Sequence, residues 1–72
     1  MLPYSEILEG DVYSKDKCLG SCEFIVLEKK ERLVKVVAIS ARTSEQIGEP
    51  FWLKPSASLF SERNRLQRGL SI

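Results

Sequence analysis

The chain has 72 residues, of which 43% are hydrophobic and 29% charged, and 11 Lys and Arg stand against 10 Asp and Glu for a formal net charge of +1. That composition suits one small domain. It contains no run of roughly 18 apolar residues of the kind that crosses a bilayer, and too little net charge to gather nucleic acid or an anionic membrane from a distance. A chain this short buries only about 60% of the surface exposed by its unfolded form, so its stability is expected to be modest and self-association is a live alternative to folding alone.

Taken in chain order, Ser5 to Gly10 is predicted to form one turn of helix or a tight bend, with Gly10 supplying positive φ and Asp11 bonding the neighbouring backbone. Asp11 to Ser14 reads as a short strand that places Val12 and Tyr13 on opposite faces. Residues 15–21 are polar and interrupted, which suits an exposed loop. Cys22 to Lys29 is the clearest strand, dense in β-formers at Phe24, Ile25 and Val26. Lys30-Glu31-Arg32 is a hairpin connection without the Asn-Gly or Asp-Gly that would fix its turn type. Leu33 to Ser40 resumes as a strand, with Val34, Val36 and Ala38 on one face and Leu33, Lys35, Val37 and Ile39 on the other.

Residues 41–48 read as a second polar loop, in which Thr43 to Gln46 can form a helical turn ended by Gly48. Glu49 to Pro55 is bracketed by prolines that cannot donate ladder hydrogen bonds, so it is expected to be a short edge strand. Ser56 or Ser58 can cap a helix on which Leu59, Arg63, Leu66 and Leu70 recur, with Gly69 as its C-terminal cap. The pattern divides the chain into a β-rich domain over 1–60 and a basic tail over 61–72, helical or disordered.

The fold class that follows is mainly β: a small curved antiparallel sheet, or an SH3-like or OB-like barrel, of four to five strands with a short C-terminal helix. Apolar residues on both faces of the two central strands suit a closed barrel, a sheet with a covered outer face, or a dimer interface. The segment Leu8-Glu9-Gly10-Asp11-Val12-Tyr13 resembles the Gly-Asp-hydrophobic entry to the first strand of many SH3-like modules, KOW-type domains among them. The resemblance covers about six residues and implies a fold without implying a function, since such barrels host unrelated activities.

Catalytic inventory is thin. The chain has no histidine, which removes Ser-His-Asp and Cys-His arrangements and the commonest general base near neutral pH. It also leaves Cys18 and Cys22, spaced C-x3-C, unable to complete a usual four-ligand zinc site. They are read as reduced thiols at a loop–strand junction, with a disulfide across the short loop as the alternative. No phosphate-cradling or calcium-loop motif is present, and Glu6, Glu9 and Asp11 read as a solvated face or loop cap. The expectation is a protein that is not an enzyme and uses no cofactor or metal.

Recognition chemistry is better represented. Phe51 and Trp52 must point to opposite sides of a strand, and with Lys54 and Tyr13 they make a candidate partner-binding surface. The leading expectation is therefore a non-enzymatic protein-binding module, an adaptor, accessory subunit or regulator, with another protein as its partner or a second copy as a homodimer. The alternative is a nucleic-acid-binding barrel that stacks bases on aromatics and contacts phosphates through Lys30, Arg32, Arg63, Arg65 and Arg68. No membrane partner is expected. The opening Leu2 to Glu6 lacks the basic and apolar regions of a secretory signal, so the expected location is the cytoplasm.

Overall fold

The computed structural model describes residues 2–14, 22–40, 42–43 and 45–69. Five strands form one antiparallel sheet: β1 (Val12–Ser14), β2 (Cys22–Lys30), β3 (Leu33–Ser40), β4 (Gln46–Leu53) and β5 (Arg65–Gln67), in the spatial order β4-β3-β2-β1-β5. β4 and β5 are free edges, so the sheet is curved but not closed into a barrel. Among the described residues the helices are two short 3-10 turns, Tyr4–Glu6 and Glu62–Asn64, and none is long and apolar enough to cross a membrane.

Register sorts the side chains onto two faces. Tyr13 lies opposite Phe24, Phe24 opposite Ala38, and Val26 opposite Val36, which puts these residues on one face. There Tyr13, Val26, Val34 and Val36 are buried under Leu2 and Ile7 from the N-terminal segment and Leu59 and Phe60 from the β4–β5 connection. The Tyr13 and Phe60 rings meet edge to face at 5.3 Å, and the Leu2 N–H donates to the Phe60 carbonyl at 3.1 Å, tying the two covering segments together. The opposite face carries the row Val12, Ile25 and Val37, which with Ile39 and Leu27 makes a smaller second cluster.

The β2–β3 hairpin closes through a two-residue turn, Glu31-Arg32, between the paired Lys30 and Leu33. Both turn residues have positive φ, 51° and 63°. This geometry matches the strand twist but is disfavoured for residues with a Cβ.

Three expectations from the sequence need correction. Gln46 and Gly48 belong to β4 instead of a helical turn: the pairing jumps from Val36 opposite Phe51 to Ala38 opposite Ile47, so Gly48-Glu49-Pro50 bulges outward with Gly48 at φ 79°. Ser56 starts no helix; turns run through this segment, with the Ala57 N–H donating to the Lys54 carbonyl and the Phe60 N–H to that of Ala57. The tail over 61–69 is helical only in the single 3-10 turn Glu62–Asn64 and is not detached, because β5 pairs with β1. The loop over 15–21, any bond between Cys18 and Cys22, and residues 70–72 lie outside what can be described.

Candidate functional site

Two polar constellations stand out, and they differ in how completely their groups are satisfied. The first centres on Asp11, whose side chain is fully buried. Its carboxylate accepts hydrogen bonds from the Leu8 N–H at 3.0 Å, the Tyr13 hydroxyl at 2.8 Å and the Gly69 N–H, with the Arg65 guanidinium 3.8 Å away. Arg65 is itself only 7% exposed and also pairs with Glu62 and donates to the Glu6 carbonyl. Burial, then the bond to Asp11 and its negative charge, push the Tyr13 hydroxyl well above the usual tyrosine range, while Arg65 opposes the shift. Among the described residues no buried side-chain polar atom lacks a partner. The Asp11 cluster is thus a closed structural clasp that joins β1, the bend before it and the chain after β5.

The second constellation is open. β4 is an edge strand exposed along nearly its whole length. Phe51 and Trp52, 42% and 40% exposed, project to opposite sides. Phe51 shares the main core face, meets Phe24 edge to face at 6.2 Å, and lines an apolar hollow of about 140 Å³ with Leu53, Ala57 and Leu59. Trp52 lies opposite Lys35 on the outer face, where the Lys35 ammonium sits 5.8 Å from the indole centroid. Lys30, Glu31, Leu33 and Trp52 line a shallow hollow of about 290 Å³ at the hairpin tip.

The structure therefore gathers some of the residues singled out from sequence and disperses others. Trp52 and Lys30 share one hollow, Arg32 stands exposed at the same tip, and Lys54 is exposed just past the end of β4. Tyr13 is fully buried in the core, so it belongs to no accessible surface, because its hydroxyl finds Asp11 and its ring finds Phe60. Arg65 is likewise held inside by Asp11 and Glu62, which leaves Arg63 and Arg68 exposed without it. Sequence reasoning missed Lys35 as a neighbour of Trp52; its signal is cross-strand register, which emerges only once β3 and β4 are paired.

Comparison of the chain with protein-family models, curated proteins and solved structures finds no match in any of the three.

Proposed function

We propose that this protein is a small non-enzymatic binding module, an adaptor, accessory subunit or regulator, that docks on a partner protein through the Trp52 side of the β2–β3–β4 hairpin tip. The observation that carries the reading is the placement of Trp52 on an edge strand, 40% exposed beside the hollow formed with Leu33, Lys30 and Glu31. Tryptophan anchors of this kind, bordered by aliphatic stems, are enriched where binding energy concentrates.

Backbone strain at the same place supports it. Glu31 and Arg32 occupy left-handed conformations that Asn-Gly would adopt at lower cost. Strained backbone of this sort clusters at functional positions. The same reading takes the curved sheet as SH3-like, on the Gly10-Asp11-Val12 entry to β1. The module works inside the cytoplasm.

A second reading, binding of single-stranded nucleic acid, draws on Lys30, Arg32 and Lys35 around Trp52, since a stacking ring among cations is the usual platform for bases. An affinity capture with the tagged protein, with and without nuclease and with Trp52→Ala as control, separates the two. A partner protein that survives nuclease and is lost with the folded variant supports docking. Retention that depends on nucleic acid moves the assignment to the second reading, and retention indifferent to Trp52 overturns both.

A further inference from the structure

We propose that the segment received by the Trp52 face is an acidic peptide stretch of a partner protein, carrying one aromatic or branched aliphatic side chain that lies on the indole. The inference rests on the docking reading above and adds the chemistry of the partner.

It follows from how the hairpin distributes charge. Glu28 lies opposite Lys35, Lys30 opposite Leu33 and Lys35 opposite Trp52, so Lys30, Lys35, Leu33, Glu28 and Trp52 share the outer face. Arg32 and Glu31 stand at the turn, and Lys54 follows two residues after Trp52. At and beside the hairpin tip, Lys30, Arg32, Lys35 and Lys54 thus stand against Glu28 and Glu31. Among the described residues the ion pairs within 4 Å both involve Arg65, so Lys30, Arg32, Lys35 and Lys54 all lack an ionic partner there. A carboxylate-bearing segment complements this excess, and the hollow between Leu33 and Trp52 accepts its apolar side chain.

Two observations favour a peptide over a polyanion. Glu28 and Glu31 lie among the cations, where evenly spaced phosphates meet repulsion that an acidic peptide avoids by spacing its carboxylates unevenly. Arg65, needed to extend a basic track towards the tail, is committed to Asp11. Simple strand addition to the β4 edge is also disfavoured, because the Gly48-Glu49-Pro50 bulge breaks the ladder and Pro50 lacks a donor. The contact is thus assigned to side chains on the face.

The test is selection of a random 12-residue phage-displayed peptide library on the intact protein. Synthetic copies of the enriched peptides, and a dT12 oligonucleotide, are then titrated while following the emission of Trp52, the only tryptophan, and by isothermal titration calorimetry for the Trp52→Ala variant, which lacks that signal. Enriched peptides are expected to be net acidic with at least one aromatic or branched residue, to blue-shift that emission, and to bind about tenfold or more weakly to the Lys30→Glu/Lys35→Glu/Lys54→Glu variant. Circular dichroism checks that this variant is folded; Lys30→Gln/Lys54→Gln, which leaves the Lys35–indole contact intact, repeats the comparison with a smaller expected loss. Neutral or basic peptides that still need Trp52 overturn the acidic assignment and leave docking standing. Peptides indifferent to Trp52→Ala, or no enrichment, overturn both. Binding of dT12 tighter than that of every selected peptide overturns the proposal in favour of nucleic acid.

Discussion

Replacing the hairpin turn Glu31-Arg32 by Asn-Gly is expected to make the protein more stable while weakening its binding. Each L-residue held in the left-handed region costs about 1–2 kcal/mol, and Glu31 and Arg32 sit there at φ 51° and 63°. Glycine at position 32 removes that strain but adds freedom to the unfolded chain, an opposing effect of about 0.5–1 kcal/mol. Asparagine at 31 relieves part of the strain, because its side chain bonds the local backbone in this conformation. Neither native side chain makes a hydrogen bond or ion pair among the described residues, so little is lost on their removal. The balance is a gain of about 1 kcal/mol, which for a domain of this size raises Tm by about 4–8 °C. Urea denaturation followed by far-ultraviolet circular dichroism reads it as a higher midpoint at unchanged slope. An unchanged or lower midpoint refutes the strain argument, and with it one support for placing the site at this tip.

The other predictions concern the two constellations. Trp52→Ala is expected to cost about 1–2 kcal/mol and leave the fold intact, because a ring 40% exposed at a sheet edge leaves no enclosed cavity; a loss above about 4 kcal/mol makes it a core residue. Gly69→Ala is expected to cost on the order of 3 kcal/mol or more in urea unfolding, since a Cβ there falls 2.8 Å from the Glu9 carbonyl carbon and 2.9 Å from the Asp11 nitrogen; an unchanged midpoint refutes the docking of residue 69 on this bend. Tyr13→Phe is expected to cost about 1.5–3 kcal/mol at neutral pH through loss of the bond to the Asp11 carboxylate. Tyr13 is held neutral in the folded protein beyond its unfolded range, so its contribution is full below about pH 10 and is lost as pH rises further. The gap between wild type and variant should therefore narrow above about pH 10, and a gap that stays constant to pH 11 argues against the buried hydroxyl.

The parts of the fold legible in the sequence are those set by local pattern. β2 and β3 are marked by dense β-branched runs between polar segments, and the alternation of β3 is legible without its partners. β4 is legible only in its second half, because Gly48 and Pro50 read as breakers, whereas at an edge the sheet absorbs them as a bulge. β5 is hidden in the sequence because Leu59, Arg63 and Leu66 fall at helical intervals with few apolar residues between them, a pattern that reads as helical or disordered. What makes Arg65–Gln67 a strand is distant: Asp11 takes the Arg65 guanidinium and the Gly69 N–H from 54 and 58 residues away. The site divides in the same way. The opposition of Phe51 and Trp52 follows from strand geometry alone, but the burial of Tyr13 depends on Asp11 and Phe60, which no local pattern links to it.

The bulge in β2 decides which lysine reaches the surface proposed to bind. Val26 lies opposite Val36 and Glu28 opposite Lys35, so Leu27 is the extra residue and the alternation of β2 changes phase there. After the change Lys29 turns to the core side, its ammonium 4.3 Å from the centroid of the Tyr4 ring, and Lys30 turns outward beside Trp52. Were the same residues to alternate without a bulge, Glu28 and Lys30 would turn to the core side and Lys29 to the outer face. Unbroken alternation would thus turn the Glu28 carboxylate to the core side and remove it from its place opposite Lys35. The irregularity costs β2 some regularity in its ladder. It keeps the Glu28 carboxylate on the outer face and gives the hairpin tip its combination of one open ring, outward lysines and interspersed glutamates, the mixed pattern on which the proposed selectivity rests.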